Sequence, residues 1–336
     1  MNFAMITDTA GSSFMKSYQI KDGKGYDFDG NPFSFNYSID NKFYASMWNY
    51  PKLFDNGYFI KWDDYGTELP NLELDLIFLV IEKRLRDGYG TEPDYIVDNI
   101  RKKYPNAKIV GWVKELWIGA PLDYESVGEK ARMDFLNQCD AVAVNRPELK
   151  QHQHLADNVN KPFNFIPIPV DTNYLYNNFY KQKDLAIWAY LPNMPERRHT
   201  TYEFVNYISQ KYGVPVKHKQ LIESEKFDYM SLESFIENWS SCLFHFNLDP
   251  IEYFPGNQCG LVAATGTINI GGVNDYHHIL FPETATCDTD ILEKRFVEYL
   301  ENEDKRNDVI KYAWDKVNSV FGFDAVREKI KDIKYE

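Results

Sequence analysis

Apolar residues fall into short blocks separated by stretches of helical period, and this alternation happens twice along the chain. In the first half the blocks are NFAMI at the start, DLIFLVI (75–81), KIVGWV (108–113), DAVAV (140–144) and FNFIPIP (163–169). Runs of this length and apolarity predict strands buried on both faces. Between them, PDYIVDNIRKKY places Tyr95, Ile96 and Ile100 at turn spacing behind a helix-starting Pro93. The stretch from Glu125 to Gln138 sets Val127, Ala131 and Phe135 four apart, one stripe of a helix.

The pattern then restarts. DLAIWAYL (184–191) reads as a strand, TTYEFVNYISQKYG (200–213) as a helix closed by Gly213, and VPVKHK as a strand. SLESFIENW follows as a helix with Ser231 as N-cap, then CLFHF as a strand. A helix beginning near Gly256-Asn257 precedes strand TINI, and HILF is expected to add a further strand. Helices are predicted over 290–302 and 305–320, the second with Val309, Ala313, Trp314 and Val317 on one face, and AVREKIKDI ends the chain as an amphipathic piece. The stretch 170–183, VDTNYLYNNFYKQK, has turn residues and no clean period and reads as a junction. Residues 22–72 read as an irregular region with short strands. Strands alternating with amphipathic helices predict an α/β protein with two successive Rossmann-like parallel-sheet units. In open parallel sheets the ligand lies beyond the carboxyl ends of the strands, so a cleft between two facing sheets is the expected site.

Length and composition fit this reading. The chain has 336 residues, 44% hydrophobic, too long for one comfortable core and suited to two domains of ordinary size. Its formal charge of −13 opposes general nucleic-acid binding, which needs a positive surface. The small basic clusters at 83–86, 101–103 and 197–199 read first as solvated helix ends. Cys139, Cys242, Cys259 and Cys287 are widely scattered and read as reduced thiols. The first residues lack the pattern of a secretory signal, and the longest apolar run, LIFLVI, is far short of a membrane span. A soluble, cytoplasmic protein is expected.

The chemistry concentrates in FPGNQCGLVAATGTINI (254–270), where a helix is built from Gly260, Ala263, Ala264 and Gly266. Such residues allow a diphosphate to approach the backbone amides at a helix start, and equally allow close packing of the helix on its own sheet. Composition does not separate the two. The arrangement around the stretch resembles the C-terminal, donor-binding domain of GT-B glycosyltransferases, from about residue 163 to the end. IPIPVDTNYLY resembles that family's hinge strand. WAYLPNMPERRHTTYEFVNYI resembles its first donor-domain strand, loop, basic residue and long helix. CGLVAATGTINI resembles its small-residue helix and following strand, and YAWDKVNSVFGFDAV its ending. NFAMITDTAGSS agrees more weakly, as a first strand and an acceptor-side loop holding Gly11, Ser12 and Ser13.

The resemblance implies a two-domain enzyme, 1–172 on the acceptor side and 173–336 binding the donor, with the last helix (about 322–336) packing back on the first domain. It implies transfer of a hexosyl or pentosyl group from a nucleotide-diphosphate sugar to a hydroxyl. UDP-sugar is the expected donor; no metal is expected, and Mg or Mn is the ion if one takes part. Arg197 or Arg198 falls where the family holds the diphosphate, and a guanidinium binds two phosphate oxygens at once. Many retaining members carry two Glu flanking the small-residue loop. Here Tyr253, beside Glu252, and Leu261 stand at those places, which leaves donor recognition to Glu252, Gly256, Asn257, Gln258 or backbone amides and leaves the stereochemical course open. An inverting transfer needs a base. Glu115 and Asp8 rank first for it and Glu82 next, each following a predicted strand. The acceptor is open: saccharide, lipid-linked glycan, small molecule, protein, or a modified phage-type DNA base, the last disfavoured by the acidic charge.

Other signals rank lower. DTD at 288–290 has metal-binding spacing but precedes a helix, where capping is the stronger reading, and DFD at 27–29 reads as solvated. The pairs His152/His154 and His277-His278 lack zinc-helix spacing. The absence of GxGxxG after the first strand and of GxxxxGK[ST] disfavours dehydrogenases and P-loop enzymes. Two rivals remain, a nucleotide-sugar epimerase of the same fold and a non-enzymatic two-domain protein closing on a small ligand.

Overall fold

The computed structural model describes residues 1–8, 17–32, 49–62, 68–81, 93–113, 127–147, 153–189, 195–218, 232–250 and 257–335. They form two compact units, one of the described residues up to Pro169 together with those from Val326 onward, the other of Val170–Ala325.

The first unit is built on strands β1 (Asn2–Thr7), β2 (Tyr18–Lys21), β3 (Lys24–Tyr26), β4 (Asn56–Lys61), β5 (Leu76–Val80), β6 (Lys108–Val113), β7 (Ala141–Val144) and β8 (Phe163–Phe165), with helices α1 (Pro93–Lys103), α2 (Val127–Gln138) and α3 (Gln153–Asn158). The strands form one sheet in the order β3-β2-β4-β1-β5-β6-β7-β8. From β4 to β8 every pairing is parallel, with Met5 opposite Phe59 on one side and Phe78 on the other. All five residues of β5 are buried, as expected for a strand covered on both faces. One face packs Ile96, Val97 and Ile100 of α1 and Phe135 and Leu136 of α2. The other carries an aromatic cluster in which Phe3, Phe54, Phe78, Tyr50 and Trp112 meet at centroid distances of 4.9–5.8 Å.

Residues 22–72 hold more order than their composition suggests. β2 and β3 form a hairpin whose turn residues Asp22 and Gly23 both have positive φ, 51° and 71°, the type I′ geometry that Asp-Gly favours. β4 then inserts beside β1. The strand expected over 163–169 stops at Phe165, because Pro167 and Pro169 have no N–H to give a ladder. The carbonyls there are used instead: the Tyr50 hydroxyl lies 3.0 and 3.1 Å from those of Ile166 and Pro167, and Asn49 Nδ2 donates to Pro169 at 3.0 Å.

The second unit contains α4 (Thr172–Phe179), β9 (Asp184–Ala189), α5 (Pro195–Tyr212), β10 (Val216–His218), α6 (Leu232–Ser240), β11 (Cys242–Phe246), α7 (Asn257–Ala264), β12 (Ile268–Ile270), α8 (Asp275–Leu280), α9 (Thr289–Glu301) and α10 (Glu303–Lys316). Its four strands run parallel in the order β10-β9-β11-β12. Ile187, Phe244, Phe246 and Ile270 pack against Phe204 and Ile208 of α5 and Phe296 of α9.

Two expectations fail here. The junction at 170–183 contains helix α4, capped by Asp171, whose carboxylate accepts from Tyr174 N at 3.1 Å. Three asparagines hide the period, yet Thr172, Leu175 and Phe179 are buried at helical spacing. HILF is not a strand. Asn274 takes an extended backbone and its carbonyl accepts from His277 N, which starts α8, and Tyr276, His277 and Leu280 form the buried side. The apolar run is the inner stripe of a short helix, a period too brief to read by eye.

A π-turn at Val317–Phe321 leads to helix α11 (Phe323–Lys331). From Val326 onward the chain belongs to the first unit, with Val326 and Ile330 buried. Arg327 Nε donates to the Leu53 carbonyl, and Lys334 N to Asn164 Oδ1 at 2.9 Å.

Candidate functional site

In a parallel sheet the loops leaving the carboxyl ends of the strands gather on one edge, where neighbouring strand ends bring separate segments together. In the second unit that edge is formed after Ala189, His218, Phe246 and Ile270. The segments leaving β11 and β12 carry its unusual features.

β11 is followed by Asn247, whose N–H donates to the Ile270 carbonyl at 3.0 Å and so ties the two strand ends together. β12 runs into Gly271 and Gly272, with φ of 94° and 91°. Both conformations are costly for residues with a Cβ, and space is short as well. A Cβ on Gly271 would lie 3.0 Å from the Asn247 carbonyl oxygen, and one on Gly272 would lie 2.3 Å from the His277 ring. Only a backbone without side chains can pass between β11 and α8 here.

Asn247, Asn274 and His277 line this corner, and all three are buried. Asn247 Oδ1, Asn274 Oδ1 and both His277 ring nitrogens have no hydrogen-bond partner among the described residues. Buried polar atoms in native proteins are nearly always paired with protein, water or ligand. Four unfilled polar atoms from three residues, on the loop after β11 and the start of α8, therefore mark a place where polar molecules belong. Burial, with the nearby His245 and His278 adding to it, pushes the His277 imidazole down to about 3, so it stands neutral with one donor and one acceptor nitrogen.

A second buried histidine is fully engaged. His245 Nδ1 lies 2.8 Å from Asn269 Oδ1, and Asn269 Nδ2 donates to the Gly271 carbonyl at 2.8 Å. The amide oxygen of Asn269 thus accepts, His245 carries its proton on Nδ1, and His245 Nε2 is free to accept from Gln258 Nε2 at 3.3 Å. Burial lowers its pKa to about 4 against the raising effect of the Asn269 bond. Thr201, on α5, accepts from Leu248 N at 3.0 Å and locks the loop after β11 to the helix after β9. Cys287 also reaches this corner: burial raises its thiol, the Gly272 N–H lowers it and the Asp249 charge raises it.

The sequence-derived residues distribute as follows. Arg197 and Arg198 fall in the first turn of α5, which begins at Pro195, and Asn257 opens α7. Gln258 turns its amide nitrogen inward to His245, and Leu261 is buried. Asp8 follows β1, buried, with its N–H donating to the Val80 carbonyl at 3.2 Å. Gly11, Ser12, Ser13, Glu82, Glu115, Glu252 and Gly256 lie outside the described residues.

Two ambiguous signals resolve. Asp288 caps α9, accepting from Asp290 N at 3.0 Å and Ile291 N at 3.2 Å, so DTD serves the helix. In DFD, Asp27 accepts from the Asn31 side chain and from the Asn31 and Asp29 backbones, which hold it below its usual range. Gly260 in α7 and Gly266 beyond its end have close neighbours: a Cβ on Gly260 would lie 3.1 Å from Val170 Cγ2, and one on Gly266 2.3 Å from the Tyr180 ring.

Sequence reasoning missed Asn247, Asn274 and the Gly271-Gly272 pair, and weighed His277 only as half of a metal-like pair with His278. Their signal was present: polar residues at the ends of apolar runs, and a glycine doublet directly after a strand.

No protein-family model matches the chain, and no curated protein matches it in sequence. Solved structures do. HepE from Anabaena, in complex with UDP, matches with a TM-score of 0.59 at 10% identity, over 99% of both chains. Sucrose-phosphate synthase from Thermosynechococcus elongatus matches with a TM-score of 0.55 at 11% identity, over 99% of this chain and 98% of that one. TarM from S. aureus, as a variant in complex with fondaparinux, α-GlcNAc-glycerol and UDP, matches with a TM-score of 0.54 at 10% identity, over 76% of this chain and 55% of the TarM chain. The chain has the GT-B fold of glycosyltransferases.

Proposed function

We propose that the protein is a glycosyltransferase that takes a sugar from a UDP-sugar bound at the carboxyl edge of the four-stranded sheet. The observation that carries this reading is the cluster of unfilled polar atoms on Asn247, Asn274 and His277 beside the Gly271-Gly272 backbone. It occurs at the edge where parallel α/β sheets take their ligands. The fold shared with HepE and TarM, both solved with UDP, adds support.

In the proposed reaction the bond between the anomeric carbon and the diphosphate oxygen breaks, and a bond to the acceptor oxygen forms. The leaving diphosphate takes the electron pair. Arg197 or Arg198 and the amides opening α7 at Asn257 and Gln258 would stabilise that charge, with Gly256 and Glu252 as neighbours in the same assignment. The acceptor proton goes to Asp8 or Glu115 in an inverting course, and to the departing phosphate oxygen in a retaining one. Residues 11–13 are assigned to the acceptor side.

The test is calorimetry with UDP, followed by incubation with UDP-sugars and mass detection of products. Binding of UDP with sugar release, to water or to an added acceptor, is expected. Conversion of the donor to an isomeric UDP-sugar, with no release, would replace the transferase by an epimerase. No binding of UDP or any UDP-sugar removes both.

A further inference from the structure

A concave site lies in the same unit, beside edge strand β12, and is lined by residues other than Asn247, Asn274 and His277. It encloses about 340 Å³ between the turn after α8 and helices α9 and α10, within the size range of small-molecule pockets. Leu280, Phe281 and Tyr299 are fully or almost fully buried and form its apolar base, with Pro282 and Val309 beside them. Lys305, Asp308 and Tyr312 stand at its mouth.

The charges at the mouth are not equivalent. Glu283 has both oxygens occupied, Oε1 by Lys305 at 3.4 Å and Oε2 by Arg295 and the Tyr299 hydroxyl, each at 3.2 Å. Lys305 is the cation it neutralises. Asp308 is exposed and has no partner among the described residues, so its carboxylate is the charge left over. Tyr312 presents an exposed ring beside it, and that ring already holds one ammonium, Lys316 Nζ, 5.7 Å from its centroid. An apolar pocket with a spare carboxylate and a cation-receptive ring at its rim is complementary to a molecule with an apolar body and a positive head.

We propose that this recess is an accessory binding site for a small organic cation. The apolar body fills the space over Phe281 and Val309, and the ammonium faces Asp308 and the ring of Tyr312.

The test uses the full chain and needs no nucleotide, so it stands or falls apart from the transferase reading. Three probes that differ only in their head group, phenethylamine, phenethyl alcohol and phenylpropionate, are titrated by ligand-observed NMR. Phenethylamine should bind, and at least about threefold more tightly than phenylpropionate, the scale of one exposed charge contact. Asp308→Asn, a surface change that leaves the packing alone, should erase that preference, and Val309→Trp should abolish binding of all three by filling the pocket. Failure of phenethylamine to bind, equal or tighter binding of phenylpropionate, or an unchanged preference in Asp308→Asn each overturns the proposal. Should Val309→Trp fail to fold, the charge preference and its loss in Asp308→Asn decide alone.

Discussion

His277 is unusual because both ring nitrogens are buried and have no hydrogen-bond partner among the described residues while the ring is held neutral. Its folded pKa of about 3, and that of His245 at about 4, lie below the 6.5 of an exposed histidine. Between those values the unfolded chain binds more protons than the folded one, so stability falls as pH drops below about 6.5. At pH 5 each histidine costs about 2 kcal/mol relative to neutral pH. Urea unfolding at pH 7 and pH 5 should show His277→Gln losing less between the two than the parent chain does. Equal losses would mean that His277 is not buried and neutral. Arg197→Ala and Arg198→Ala belong to the same scale. If either guanidinium holds the diphosphate, its removal should weaken UDP binding by on the order of 1.5–3 kcal/mol, the worth of a charge-assisted contact. Calorimetry showing unchanged affinity in both variants would end that assignment. Cys287 offers a direct readout of the same corner. Cys139, Cys242 and Cys259 are buried, whereas Cys287 is half-buried beside Gly272 and Asp249. A thiol-reactive probe on the native protein should label Cys287 first, and saturating UDP should slow that labelling.

At the scale of elements, legibility followed burial. β5, β6, β7, β9 and β11 read directly because parallel strands covered on both faces are unbroken apolar runs. Helix α4 did not, since asparagines at 173, 177 and 178 occupy its solvent side and weaken the contrast that a period needs. The hairpin of β2 and β3 was marked by Asp22-Gly23, a turn signal passed over amid other polar residues. The site corner was harder, because Asn247 and Asn274 are distant in sequence and acquire meaning only when β11 and β12 pair. Gly260 of α7 and Gly266 after it come close to Val170 and Tyr180, a constraint that selects small residues whether or not a ligand lies at the helix start. Gly266 sits at φ 73° against the Tyr180 ring, so Gly266→Ala combines backbone strain with a clash. It should destabilise the protein by at least about 1 kcal/mol, measurable as a lower denaturant midpoint. Gly266→Asn should fare better in its backbone, since Asn tolerates the left-handed region. Lys183 plays a comparable structural part, donating to the carbonyls of Ser240 at 2.6 Å and Thr265 at 2.5 Å, where α6 and α7 end. Its burial lowers its pKa to about 8.

At the scale of the whole chain, the fold was anticipated from two rounds of strand and helix, and solved GT-B structures at 10–11% identity match it. Such low identity leaves the fold recognisable while the chemistry must be read from the residues themselves. One consequence follows from the ownership of the final helix. The sheet of the first unit ends at Phe165, but Val326, Ile330 and Ile333, buried in the same unit, come only after the whole second unit. The second unit must therefore be synthesised before the first can close, which leaves the earlier segments exposed to proteases and chaperones in the meantime. Stopping the chain after residue 322 should release a product whose amino-terminal half is cut readily by trypsin, and supplying residues 323–336 as a separate peptide should restore resistance.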